Sequence, residues 1–409
     1  MNIKMINRHS RSPEGHFAGL GLALGLSLLA APPVSGQCQY EATIIQGPMC
    51  TNGSPATFGP AALDEQGNVA GASSCFLAVH ASLWTGSGLA QYLPDSGESR
   101  ALAILDPDHV VGTHVQAGEG FDVAAYWEFG VLQILGAPTG QLTSKAHGIN
   151  QSLQIVGESS GGPDGLSAFL YENNSFEKLI LPFGSSAIAN DINDQRQIVG
   201  FMGDSIVTDH AFLWENGIVT DLGIIPGGTS ADARAINNIG HVAGRGWVPL
   251  EGSFFGEPHA FFWDGQTMID IGTLPDHKRS MALAINDLDE IVGSSSFVGN
   301  NINISHAIYW RDGVLYDLND LVIPDLGGGL LRALAINNAG EILAQVGGVG
   351  VLLTPIGSAP GDIDNNCIVN VSDLLLLISE WGESISVADI NLDGNVNVTD
   401  LLALLADWG

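Results

Sequence analysis

Side chains bearing oxygen recur at fixed spacing near the C-terminus. In the segment Asp389-Ile390-Asn391-Leu392-Asp393-Gly394-Asn395-Val396-Asn397-Val398-Thr399-Asp400 they fall at loop positions 1, 3, 5, 9 and 12. Gly394 stands at position 6, where a sharp turn is needed, and the carbonyl of Asn395 is available at position 7. Upstream, Asp362, Asp364, Asn366, Asn370 and Asp373 repeat the set, with the carbonyl of Ile368 at position 7. Hard oxygen donors in this order let a twelve-residue loop wrap a calcium ion, which takes about six to eight of them. The expectation is two calcium ions, one per loop. The bland alternative, two solvated acidic turns, is disfavoured because the copies are in register.

The elements that must hold these loops follow directly. A Leu-rich helix is expected after each, over Val371 to Trp381 and Val398 to Trp408, and each ends in Trp-Gly, a suitable helix stop. Residues 361–409 contain nine acids and no Lys or Arg, so without a cation the segment repels itself. Cys367 replaces glycine at position 6 of the first loop, which predicts a strained turn and lower affinity there. Position 12 is Asp in both loops, shorter than the Glu of a full EF-hand loop. The pair resembles the dockerin type I module, whose loops use Asp at that position. The resemblance implies calcium-dependent docking onto a cohesin-like protein, often within polysaccharide-degrading assemblies. It also places partner contacts near loop positions 10 and 11, here Val371, Ser372, Val398 and Thr399. The helices lack the basic residues that many cellulosomal dockerins carry, so another surface protein is the alternative partner.

A second periodicity fills the middle of the chain. The segment Ala284-Ile285-Asn286-Asp287-Leu288-Asp289-Glu290-Ile291-Val292-Gly293 is followed by a variable loop, by His306-Ala307-Ile308-Tyr309-Trp310, and by Val314 to Leu318. Its closing glycine recurs at Gly71, Gly112, Gly157, Gly200, Gly244 and Gly293, at spacings of 41, 45, 43, 44 and 49 residues. A seventh copy carries Ala344 at that position. Each unit reads as four short apolar strands joined by Asn, Asp and Gly turns, the size of a propeller blade. The fold class expected is mainly β: a seven-bladed propeller, with six or eight blades as alternatives, plus a small all-α calcium-binding domain. Seven units supply only six fourth strands, so Tyr40 to Ile45 is expected to complete the last blade and close the ring.

These repeats resemble the secreted HAF-repeat proteins, over roughly Tyr40 to Pro355; the resemblance implies export and fold. Asp64 and Leu105 depart from the pattern by replacing its Asn, and early units lack the His. The recurrent His80, His210, His259 and His306 occupy one equivalent position, so a shared structural hydrogen bond is expected rather than catalysis. Trp84, Trp127, Trp214, Trp263 and Trp310 read as blade core. No nucleophile elbow, phosphate loop, metalloprotease helix or sialidase-type Asp box is present. Binding could reside in the loops between second and third strands. The longest, Arg245 to Pro258, holds Trp247, Phe254 and Phe255, aromatics suited to sugar rings; a local hydrophobic cluster is the plainer reading.

Composition sets the remaining bounds. A formal charge of −31 over 409 residues repels nucleic acid and anionic membranes. Residues 1–36 read as a signal peptide, with Lys4, Arg8 and Arg11 before an apolar stretch from Phe17 to Ala31, and cleavage is expected before Gln37. The organisation expected is signal peptide 1–36, propeller 37–356, linker 357–360 and calcium repeats 361–409. After cleavage no membrane insertion is expected, a retained anchor being the alternative. The expected location of the protein is extracellular or at the cell surface. Cys38, Cys50 and Cys75 are candidates for a disulfide whose pairing the sequence leaves open, as it does the state of Cys367. The reading carried forward is a non-catalytic binding or scaffold protein. A polysaccharide-acting hydrolase or lyase, and a self-assembling surface protein, remain the alternatives.

Overall fold

The computed structural model describes residues 39–406, except 76–77, 96, 116–119, 164, 183, 204–208, 250–255, 300–301, 323–325, 327–328, 357–360, 364–368, 370, 384–385, 387 and 392–393. The expected signal peptide, linker and Cys38 lie outside the described residues, as do Cys367, Trp408 and Gly409. Seven antiparallel four-stranded sheets follow one another, and two short helices, Val371–Ser379 and Val398–Ala406, come last. Blade 4 shows the plan: Ser186–Ile192, Gln197–Gly203, His210–Glu215 and Ile218–Gly223 pair in sequence order. Blades 1 to 6 are consecutive in the chain. Blade 7 takes its fourth strand, Gln39–Ile44, from the other end of the sequence and pairs it with Val349–Ile356. The expected closure of the ring is therefore present, with the strand shifted by one residue. The protein leaves no open edge between its first and last blades.

Two features of the repeat explain its recurring residues. Every first strand carries a bulge, for example between Ala189 and Asp191, opposite the recurrent glycine or, in blade 7, Ala344. At Gly200 an added methyl would run into the carbonyl oxygen of Ile188 and meet the Phe212 ring at 3.1 Å. Gly200→Ala is therefore expected to cost about 1–3 kcal/mol through overpacking, read as a lower denaturant midpoint with unchanged slope. An unshifted midpoint would remove the steric reading.

The turns at the ends of the first strands, Ile-Asn in blades 3 to 7, Leu63-Asp64 in blade 1 and Ile104-Leu105 in blade 2, converge around a cavity of about 170 Å³. There the buried asparagines join blade to blade. Asn150 donates from Nδ2 to the carbonyl of Asn193 (2.9 Å), Asn193 to Asn237 (3.0 Å), Asn237 to Asn286 (2.9 Å), Asn286 to Asn337 (3.1 Å), and Asn337 to Asp64 (3.1 Å). The last bond spans the ring closure. A second belt runs beside it: Asp194, Asn238, Asp287, Asn338 and Glu65 each accept, through side-chain oxygen, the backbone N–H of the preceding blade's turn. Asp64 and Leu105 have no side-chain N–H to donate, so the first belt stops at blades 1 and 2.

Blade 4 alone carries a carboxylate just before its Ile-Asn pair. Asp191 accepts from the backbone N–H of Ile192 (2.8 Å) and of Ile236 in blade 5 (3.0 Å). Burial pushes its carboxyl up to about 6, against those two N–H groups, which pull it down. A folded pKa above the unfolded one stabilises the fold fully below the unfolded value near 4, and this contribution is lost as pH rises through about 6. Thermal scans should accordingly show a melting component that falls between pH 4 and 6 and vanishes in Asp191→Asn. An identical pH profile in the variant would refute the assignment.

Blade surfaces pack face to face. Trp84, Trp127, Trp214 and Trp310 are buried, as expected for core, and Trp263 is partly buried. Cys50 and Cys75 form a disulfide, which ties the segment before blade 1 to that blade's second strand.

Candidate functional site

The two loop–helix repeats share one small core. Ile363, Val369 and Leu377 from the first repeat cluster with Ala388, Val396 and Leu404, and partly buried Ile390 and Leu401 pack against them. Val369 and Val396 occupy position 8 of their loops, and Leu377 and Leu404 the same place on their helices, so the two repeats meet as near-equivalents. The first helix is shorter than the sequence suggested: it ends at Ser379, and Gly382 (φ +91°) turns the chain so that its N–H reaches the carbonyl of Val396 at 2.9 Å. A left-handed residue after a helix is a common stop, which is why Trp-Gly marks the end.

Four of the expected calcium-binding aspartates are withdrawn from water. Asp373 and Asp400, at position 12, are fully buried, and Asp362 and Asp389, at position 1, are 4% and 8% exposed. Asp400 accepts the backbone N–H of Asn391 (3.1 Å) and of Asn397 (2.8 Å). Asp389 accepts from Gly394 N–H at 2.8 Å, and Asp373 from Ile363 N–H at 2.7 Å. First and last residues thus hold the second loop curled around its own centre, with Gly394 at φ +89° making the sharp turn. Asn397 turns its amide to the carbonyl of Asn395 (2.8 Å), and Asn391 donates to the Thr399 hydroxyl (2.6 Å). Asp364, Asn366, Ile368, Asn370 and Asp393 lie outside the described residues. Among the described residues no three acidic, His or Cys side chains form a metal-sized group.

The donor set fits calcium. Buried carboxylates are costly unless a cation compensates them, and this segment contains no Lys or Arg. Every candidate donor is a hard oxygen, the preference of calcium rather than of thiophilic metals.

The expected docking positions face solvent. Val371 and Val398 are 59% and 55% exposed, and Ser372 and Thr399 are exposed beside them. Leu375, Ile378 and Trp381 continue the first apolar strip, and Leu402 and Leu405 the second. Residues 360–406 match the family model of the dockerin type I domain. Dockerin domains of this type bind calcium and are typically found in extracellular or cell-surface proteins.

No curated protein matches the chain in sequence. Among solved structures, a streptogramin B lyase is similar at 12% identity, over 78% of this chain and 98% of its own, with a TM-score of 0.49. The β-propeller domain of the trilobed protease from Pyrococcus furiosus is similar at 11% identity, over 71% and 92%, with a TM-score of 0.48. A catalytically inactive virginiamycin B lyase from Staphylococcus aureus with quinupristin gives 12%, 77%, 100% and 0.47.

On the propeller, the recurrent histidines do share one hydrogen bond, and its partner went unrecognised in the sequence. His210 Nδ1 lies 2.8 Å from Asp221, His259 3.0 Å from Asp270, and His306 2.5 Å from Asp317. Each aspartate is that of the fourth strand, and Asp221 and Asp270 also take the N–H of the glycine two residues on, at 2.9 and 2.8 Å. His80 reaches Asp95 at 2.9 Å in blade 1. The signal was available: His in the third strand and Asp-x-Gly in the fourth come together in blades 4 and 5.

The expected aromatic face is placed differently. Trp247 belongs to the strand Val242–Val248, not to the loop, and Arg245 lies 4.9 Å from its ring centroid in a cation–π contact. The strand extends that far because Trp247 pairs with both Ser230 and Pro258. Phe254 and Phe255 lie outside the described residues.

Proposed function

We propose that the chain is an exported, non-catalytic binding protein whose propeller is attached or displayed through calcium-dependent docking of its C-terminal domain. The observation that carries this reading is the dockerin type I match over residues 360–406, on a segment with buried acidic loop ends and two exposed apolar helix strips. In this reading residues 1–36 direct export and are removed, 37–356 form the propeller, 357–360 link it, and 361–409 dock. Two calcium ions bind: one through Asp362, Asp364, Asn366, Ile368, Asn370 and Asp373, the other through Asp389, Asn391, Asp393, Asn395, Asn397 and Asp400. Val371, Ser372, Val398 and Thr399 face a cohesin-like partner on the cell surface or on a secreted scaffold. Calcium acts by curling each loop, which sets the helix behind it at the angle the partner reads.

The test uses the whole chain. Immobilised with calcium, it should retain a cohesin module from solution and release it on addition of a chelator. Retention that survives chelation, or no retention of cohesin modules of any class, would sink the docking reading.

A further inference from the structure

Blade 3 departs from the pattern of its neighbours at one spot. The His position of the third strand is Ser167 here, and the Asp position of the fourth strand is Lys178. The registers make the equivalence secure: Phe169 pairs with Lys178 as Phe212 pairs with Asp221 and Phe261 with Asp270. Across the sheet Ser159 opposes Ser167, whereas in blade 4 Met202 opposes His210. The histidine is thus replaced by a serine, facing a serine as the histidines of blades 1 and 6 do, and a cavity of about 440 Å³ is lined by Ser167 and Lys178, the residues at the places of the His–Asp pair. Blade 2 has also lost the pair and carries the apolar Val123 and Ile134 at the two positions.

The lining has a recognisable chemistry. Gln141, Ser159, Ser167, Asn174 and Lys178, residues with amide, hydroxyl and ammonium groups, are among its lining. Phe176 supplies an aromatic surface, and its ring is fixed by edge contacts to Phe169 (centroids 5.0 Å apart) and Tyr171 (4.8 Å). Gln141 is held by the backbone N–H of Gly162 at 3.0 Å. A held aromatic ring flanked by several fixed polar groups, in a hollow within the usual size range of small-ligand pockets, suits a compact ligand with an apolar face and a hydroxylated rim.

We propose that this pocket binds a single saccharide unit, its less polar ring face on Phe176 and its hydroxyls toward the serines, Gln141, Asn174 and Lys178. The site goes beyond docking: it gives the displayed propeller a ligand of its own, independent of calcium.

The propeller supplies its own control. Ser167→His with Lys178→Asp rebuilds the pair that blades 4, 5 and 6 already accommodate, and Ser159→Met installs the residue of blade 4. Saturation-transfer NMR of the full chain would be run against glucose, galactose, mannose, xylose, glucuronate, galacturonate, cellobiose and xylobiose, with calcium and with chelator. Transfer to at least one sugar is expected, unchanged by chelator and weakened at least tenfold in the double variant. Should the double variant melt early, Ser159→Met must give the same loss. No transfer from the wild-type chain to any of these sugars would overturn the proposal. So would transfer that persists in both variants, or that disappears with chelator. Loss of docking with sugar transfer intact would count against the docking reading alone.

Discussion

In the Asp400→Ala variant, calcium titration of the full chain is expected to lose its tighter binding step, with affinity at the second loop falling about a hundredfold. Asp400 is fully buried and receives two backbone N–H groups, from Asn391 and Asn397. It therefore fixes the loop's shape as well as supplying charge to the ion. Affinity in such loops follows ligand charge and rigidity over several decades, and this change removes both. The second loop should be the tighter one because Gly394 takes φ +89° freely, whereas the first loop has Cys367, not glycine, at position 6. Asp400→Asn removes the charge but keeps an acceptor for only one of the two loop N–H groups, since Asn391 and Asn397 donate to different oxygens of the carboxylate. It should fold with calcium in excess yet bind the ion more weakly than the wild-type chain. Calorimetry reads both steps. Unchanged affinity in Asp400→Ala would exclude this carboxylate as a ligand.

How far the sequence revealed this molecule depends on how local the signal is. The blade count, the ring closure and the tail were legible because each rests on short motifs with a fixed local job: glycine opposite a bulge, Asn in a left-handed turn, oxygens at alternate loop positions. What escaped were pairings between motifs. The bond from His210 to Asp221 joins two strands, each of which reads as self-sufficient. The belt from Asn150 to Asn337 joins neighbouring blades, so the function of the Ile-Asn pair appears only once the blades stand side by side. Trp247 was misplaced for a related reason: an aromatic after glycine looks like loop, and only its pairing with Ser230 and Pro258 makes it strand. The blade 3 pocket was legible merely as degeneracy, Ser for His and Lys for Asp.

Ring closure carries the second large effect. Tyr40→Ala is expected to destabilise the propeller by about 3–5 kcal/mol, the usual cost of deleting a large buried aromatic side chain. The ring is 1% exposed and packs among Leu318, Leu321, Leu330 and Leu353, with Tyr309 edge-on at 6.5 Å. Its backbone N–H bonds the carbonyl of Leu321 at 2.9 Å, so the residue pins the closing strand to the chain leaving blade 6 as well as to blade 7. Burial, and next the Glu290 carboxylate, hold its phenol above the ordinary tyrosine value and so protonated. Beyond it Tyr309 donates to Glu290 at 2.6 Å. Tyr40→Phe keeps the packing and should cost only about 1 kcal/mol. Ile44→Ala, on the same strand but 57% exposed, should lie near zero. That order, with the alanine at position 40 far below the other two in denaturant midpoint, is what a sealed ring requires. If all three variants melted together near the wild-type midpoint, the closing strand would contribute little, and stability would reside in the six blades formed from consecutive chain.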